Sequence, residues 1–177
     1  MARLEARTLI HPSTRRKWSL VVQNACMPSV LTVVTETPRS ISALFDVSLD
    51  IDAHMGSMRQ SGERAVGGVT SGRIGLDQTV TWRARHFGMW FTMTSRITEL
   101  ERPTRFVDEQ VAGPFKSFRH EHVFVRVDGL TRMTDTITLA SPIFGRLAES
   151  LLLVPYLRKL IQKRNQHLLA LLESTTG

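Results

Sequence analysis

The stretch from Val80 to Leu139, VTWRARHFGMWFTMTSRITELERPTRFVDEQVAGPFKSFRHEHVFVRVDGLTRMTDTITL, decides the fold. Apolar and polar side chains alternate along it as they do on a half-buried sheet. It therefore divides into strands at about Thr79 to Phe87, Trp90 to Glu99, Phe106 to Val111, Phe118 to Arg126 and Thr131 to Leu139. His86-Phe87-Gly88-Met89 and Val127-Asp128-Gly129-Leu130 supply tight connections, the second with an Asp-Gly pair that accepts the positive φ of a hairpin turn. Parallel pairing needs crossover helices, and no residues remain to form them; the strands read as an antiparallel meander.

Downstream, PIFGRLAESLLLVPYLRKLIQKRNQHLLALLE from Pro142 to Glu173 carries Leu147, Leu151, Val154, Leu157, Ile161, Leu168 and Leu172 as a helical stripe. Arg158, Lys159, Lys163 and Arg164 are expected to face outward. Ser141 is placed to cap this helix and Pro142 to occupy its first turn. About 30 residues at 1.5 Å each make about 45 Å, longer than one face of a flat sheet needs. A sheet curled around the helix removes that mismatch, and the chain is read as an α+β domain of this kind. Pro155 deletes a helical hydrogen bond, so a kink, or a break into two helices, is expected near it.

Upstream, the β-branched run Val30 to Thr35 reads as the first core strand. A short helix follows from Pro38, with Thr37 as its cap and Ile41, Leu44, Phe45 and Leu49 on its apolar side. A second short helix is expected over Asp52 to Met58. The glycine-rich residues from Gly56 to Gly75 turn often, but no GxxxxGK or GxGxxG stands between a strand and a helix, so a nucleotide site has no sequence support. Residues 1–28 read as a lead-in or an extra strand near Trp18 to Val22, and 29–174 as a single domain.

Composition narrows the partners. The 177 residues suit one domain, and 42% hydrophobic content suffices for a core. The net charge of +7, from 23 Lys and Arg against 16 Asp and Glu, is spread along the chain. No dense basic run meets exposed aromatics and no helix-turn-helix or zinc-finger spacing occurs, so no nucleic acid is expected and at most transient membrane contact. Cys26 is the only cysteine, which rules out an intrachain disulfide and a cysteine-built zinc site and points to a reducing, cytoplasmic setting. The first residues lack the pattern of a secretion signal, and the run Leu151 to Leu157 is too short to span a bilayer. Monomer and homodimer both remain open.

Strand parity places Trp82 and His86 on one face and Arg83 and Arg85 on the other; the arginines belong in water, so the first set points inward. The same reasoning directs Phe91 and Met93, then Phe106, Asp108 and Gln110, then His120, His122 and Phe124, then Met133 and Asp135 into the interior. With Leu151 and Ile161 of the helix, these residues are the candidate lining of a ligand cavity. Its polar members need partners, because an unpaired buried polar group costs about 2–7 kcal/mol. Four readings fit. They form a structural network, with Asp135 holding His120 or His122; they anchor the polar end of an apolar ligand; His120, His122 and Asp135 do acid-base chemistry; or a His/His/Asp set holds a metal. A His-x-His pair on a strand is a weak metal signal, and no metal or cofactor is assigned.

The chain resembles the START-related, Bet v 1-like SRPBCC superfamily, and is most similar to uncharacterised bacterial members related to polyketide cyclases and dehydrases. The likeness is carried by SGERAVGGVTSGRIGLDQTVTWRARHFG (Ser61 to Gly88), TSRITELERPTRFVDEQVAGPFKSFRHEH (Thr94 to His122) and YLRKLIQKRN (Tyr156 to Asn165), within about Val30 to Glu173. It implies a helix-grip fold, with a seven-stranded antiparallel sheet around a long C-terminal helix, two short helices after the first strand and a cavity between. It also implies inward faces for His120, His122 and Asp135, but no catalytic set. The function expected is binding of an apolar or amphipathic small molecule. The alternatives are a cyclase-like acid-base enzyme, and a structural or interaction domain with a filled core. A cavity smaller than about 300 Å³ favours the last.

Overall fold

Strand β1 (Ser29–Thr37) turns Leu31 and Val33 inward and leaves Val30 and Val34 exposed, the two-residue period of a half-buried strand. The computed structural model describes residues 28–141 and 149–174. The lead-in, the strand expected at Trp18 to Val22, Cys26, Pro142 and Leu147 lie outside the described residues.

Helix α1 (Ile41–Ser48) starts later than Thr37 and Pro38 suggest. Thr37 is still paired with Thr131 in the sheet, so the chain is free to turn only beyond Pro38. Ser40 is the cap, its Oγ accepting from the Ala43 amide at 3.2 Å. Asp50 caps α2 (Ile51–Ser57) in the same way, accepting from Ala53 at 2.9 Å. A 3-10 turn at Arg59–Ser61 leads into β2 (Arg64–Gly68), a strand that strand propensity did not locate within the glycine-rich stretch.

The meander follows as β3 (Thr79–His86), β4 (Met89–Glu101), β5 (Arg105–Ala112), β6 (Ser117–Val127) and β7 (Leu130–Ala140). Two of its turns need two successive residues of positive φ: Phe87 at 51° and Gly88 at 81°, Asp128 at 51° and Gly129 at 78°. All neighbours are antiparallel, in the order β1-β7-β6-β5-β4-β3-β2. The seven-stranded sheet wraps the C-terminal helix α3 (Val154–Ser174), and α1 and α2 follow the first strand.

Two expectations for the C-terminal helix are corrected. Pro155 is the second residue of α3, at the point where regular α-helical bonding begins. A π-helical turn, Glu149–Leu153, precedes it. That turn adds a residue to the helical repeat and shifts the phase, leaving Leu151 64% exposed and burying Leu153. Arg164 faces inward and is 4% exposed; its Nη2 donates to the Ser48 carbonyl at 3.0 Å.

One end of the interior is filled. Phe45 meets Phe106 and Phe124 edge-on at 5.6 and 5.2 Å between centroids, and the Ser48 hydroxyl contacts Met133 Sδ at 3.5 Å. Phe124 and Met133 are therefore packed core under α1 and do not line a cavity. Gln110 is also absent from the lining, because its side chain turns back to the Phe115 backbone, donating at 2.8 Å and accepting at 3.2 Å.

Candidate functional site

Between the sheet and α3 lies a cavity of about 240 Å³. Trp82, His86, Phe91, Met93, Phe106, Asp108, His120, His122 and Ile161 line it, as do Val80, Ile97, Ile137 and Leu157. Its volume is below the roughly 300 Å³ at which typical small-molecule sites begin. Size alone therefore favours a filled core over either ligand reading.

Sheet register assembles the polar floor. Asp108 on β5 lies opposite His120 on β6, and His122 lies opposite Asp135 on β7, so all four side chains share one concave face. His120 Nε2 donates to Asp135 Oδ1 at 3.0 Å, and His122 Nε2 donates to Asp108 Oδ2 at 3.2 Å. His122 Nδ1 lies 2.8 Å from the same Asp135 oxygen but is not aligned with it, and makes no hydrogen bond. The two rings are 3.8 Å apart, and Phe106 stacks on His122 at 4.0 Å. Asn165 on α3 donates to Asp135 Oδ2 at 2.6 Å.

Burial orders the electrostatics. It pushes the Asp135 carboxyl up, but the flanking imidazoles outweigh it and hold the group well below the ordinary carboxylate range. Asp108 is likewise held low against its desolvation, chiefly by the His122 hydrogen bond, then by His120 and Arg164. Burial also lowers His120, aided by His122 and opposed by Asp135. At neutral pH this gives two ionised carboxylates beside a neutral His120. Asp135, His122 and His120 side chains are at most 8% exposed, whereas Asp108 is 20% exposed, so Asp108 is the edge of the network that faces the cavity. Asp108, His120 and His122 also bring three metal-capable donor atoms within 4.8 Å of one another.

Several residues of the site were not among the candidates named from the sequence. Ser95 is 3% exposed, lines the cavity and has no partner for its hydroxyl. Parity directs Ser95 inward, but nothing marks it as more than a filler. At the other end His54 Nε2 contacts Glu63 Oε1 at 2.6 Å and stacks on Trp82, and His86 Nδ1 meets the Tyr156 hydroxyl at 2.7 Å. Burial lowers His86, with Glu63 opposing it, and raises Tyr156. These pairings join α2, β3 and α3, and no local spacing signals them.

No family model and no curated protein matches the chain. Solved structures do. TTHA0849 from Thermus thermophilus is 19% identical with a TM-score of 0.64, covering 80% of this chain and 98% of that one. The ZhuI aromatase/cyclase from a Streptomyces species is 14% identical with a TM-score of 0.65, covering 85% and 96%. A START superfamily protein from Mycobacterium smegmatis is 14% identical with a TM-score of 0.55, covering 82% and 95%. The chain shares with these three proteins its helix-grip fold, a seven-stranded antiparallel sheet around a long C-terminal helix.

Proposed function

We propose that the protein binds a compact amphipathic small molecule between the sheet and α3. The observation that carries this reading is the floor of the cavity. A buried His/Asp network ends in the partly exposed Asp108, and Ser95 adds an unpartnered hydroxyl, beneath walls that are mostly apolar. A buried hydroxyl without a partner is costly unless something inside the cavity bonds it. Trp82, Phe91, Met93, Ile137 and Ile161 would bury the apolar part at roughly 25 cal/mol per Å² removed from water. The polar end would meet Ser95 and Asp108. At about 240 Å³ the fit is to a small ring system or short chain rather than a long lipid.

Native mass spectrometry of protein from its own cells, with extraction of any adduct, tests the proposal. A stoichiometric small organic adduct is expected. Bare protein that also fails to take up any member of an amphipathic panel at micromolar concentration would overturn it.

A second reading has its own support, since His120 is oriented by Asp135 as a general base is oriented by its partner. Its likeness to an aromatase/cyclase is one of fold alone. On this reading His120→Gln abolishes turnover of the bound molecule and leaves its affinity nearly unchanged.

A further inference from the structure

The two histidines share an unusual division of labour. Each directs one nitrogen to Asp108 and the other to Asp135. His120 Nδ1 and His122 Nε2 stand 3.7 and 3.2 Å from Asp108 Oδ2, while His120 Nε2 and His122 Nδ1 stand 3.0 and 2.8 Å from Asp135 Oδ1. From this geometry we infer that Asp108, His120 and His122 bind a divalent first-row transition cation, with Asp135 as the outer carboxylate that orients both imidazoles.

Bonds of about 2.1 Å to one ion hold donor atoms roughly 3.0–3.5 Å apart, depending on the bond angles. The separations from Asp108 lie within a few tenths of an ångström of that span, and all three donor atoms lie within 4.8 Å of one another. His120 already has the required tautomer, its Nε2–H directed to Asp135 and its Nδ1 lone pair directed toward Asp108. His122 reaches the same state by moving its proton from Nε2 to Nδ1. A small rotation of the ring then aligns Nδ1–H with Asp135, 2.8 Å away, and Nε2 is released for the ion.

Charge favours the same occupant. The cluster sets two carboxylates, Asp108 and Asp135, against the guanidinium of Arg164, 3.7 Å from Asp135, in a site closed to water on most sides. Two imidazoles and one carboxylate suit Zn²⁺ or Fe²⁺ and leave coordination positions free. Asp108, the most exposed ligand, puts those positions on the cavity side, where a carboxylate, phenolate or carbonyl on a guest would reach them. This deepens the ligand reading and rests on the same cavity. The test uses metal alone, so failure of one reading is separable from failure of the other.

Untagged full-length protein is stripped with a chelator and titrated with Zn²⁺ against a chromophoric competitor, and with Co²⁺ by visible absorption. One ion per chain with a dissociation constant at or below about micromolar is expected, and X-ray absorption of the Zn²⁺ form should show two imidazoles and oxygen. Asp108→Asn and His120→Gln should each weaken binding at least about 100-fold, and Asp135→Asn by about 10- to 100-fold. Cys26→Ser and His167→Gln should leave it unchanged. Should a ligand variant fail to fold, the wild-type absorption spectrum decides. Sub-stoichiometric binding, a sulfur ligand, or affinity unaltered in folded Asp108→Asn would overturn the assignment in favour of a purely hydrogen-bonded network.

Discussion

Asn165 of α3 donates to Asp135 of β7 at 2.6 Å, and the same amide donates to Thr35 of β1 at 2.9 Å. Both contacts are inside the grip of the sheet, so one polar side chain fixes where the helix sits along two strands. Apolar packing alone would let the leucine stripe slide by a turn; a buried amide with two designated acceptors does not.

Replacing that amide exposes the dependence. Asn165→Leu keeps the branching and heavy-atom count but strips donors from a buried carboxylate and a hydroxyl, and should cost about 1–3 kcal/mol in urea unfolding. A change within about 0.5 kcal/mol would mean that the helix is held by its apolar face alone.

Ala84→Leu separates an open interior from a filled one without any ligand. Ala84 is 5% exposed and lines the cavity. Adding three carbons to a close-packed core costs about 1–3 kcal/mol, whereas a real cavity should accept them for less than about 1 kcal/mol. Urea unfolding of the variant reads the difference directly.

Two glycines of positive φ should respond very differently. At Gly68 a Cβ would collide with the Thr79 carbonyl across the β2–β3 pair, while at Gly72 it would meet open space. Gly72→Ala should cost about 1 kcal/mol from backbone strain alone, and Gly68→Ala distinctly more, with loss of amide protection confined to β2 and β3. Equal costs would contradict the edge-strand packing.

Acidification should act through His86. Burial lowers its pKa from the ordinary 6.5, so the folded state prefers the neutral ring. Its contribution is fully present above about 6.5 and is lost as pH falls from there through the lower folded value. His86→Phe should flatten that part of the pH profile of the unfolding midpoint between about pH 7 and 5, and an unchanged profile would refute it.

The sheet was legible because charge broke the symmetry of alternation: Arg83 leaves Trp82 facing inward, and Arg119 does the same for His120. β2 was not, since Arg-Ala-Val-Gly-Gly alternates weakly and pairs with β3 through a slip between Ala65 and Gly67. The direction of Arg164 was hidden for another reason. Next to Lys163 it reads as one more solvated cation, and the carbonyl and carboxylate that draw it inward, on Ser48 and Asp135, are remote in sequence. Leu151 failed because a constant helical period cannot anticipate a π-helical turn. His120, His122 and Asp135 were read as inward by parity, but their order within the network depends on register between β5, β6 and β7, which no single strand carries.

The most direct test is crystallographic density in the cavity of protein freshly isolated from its own cells. The account predicts a small molecule between β4 and α3, its apolar part against Phe91 and Ile161 and a polar atom within hydrogen-bond or metal reach of Asp108 or Ser95. A cavity closed by repacked side chains, or one holding only water, would contradict it.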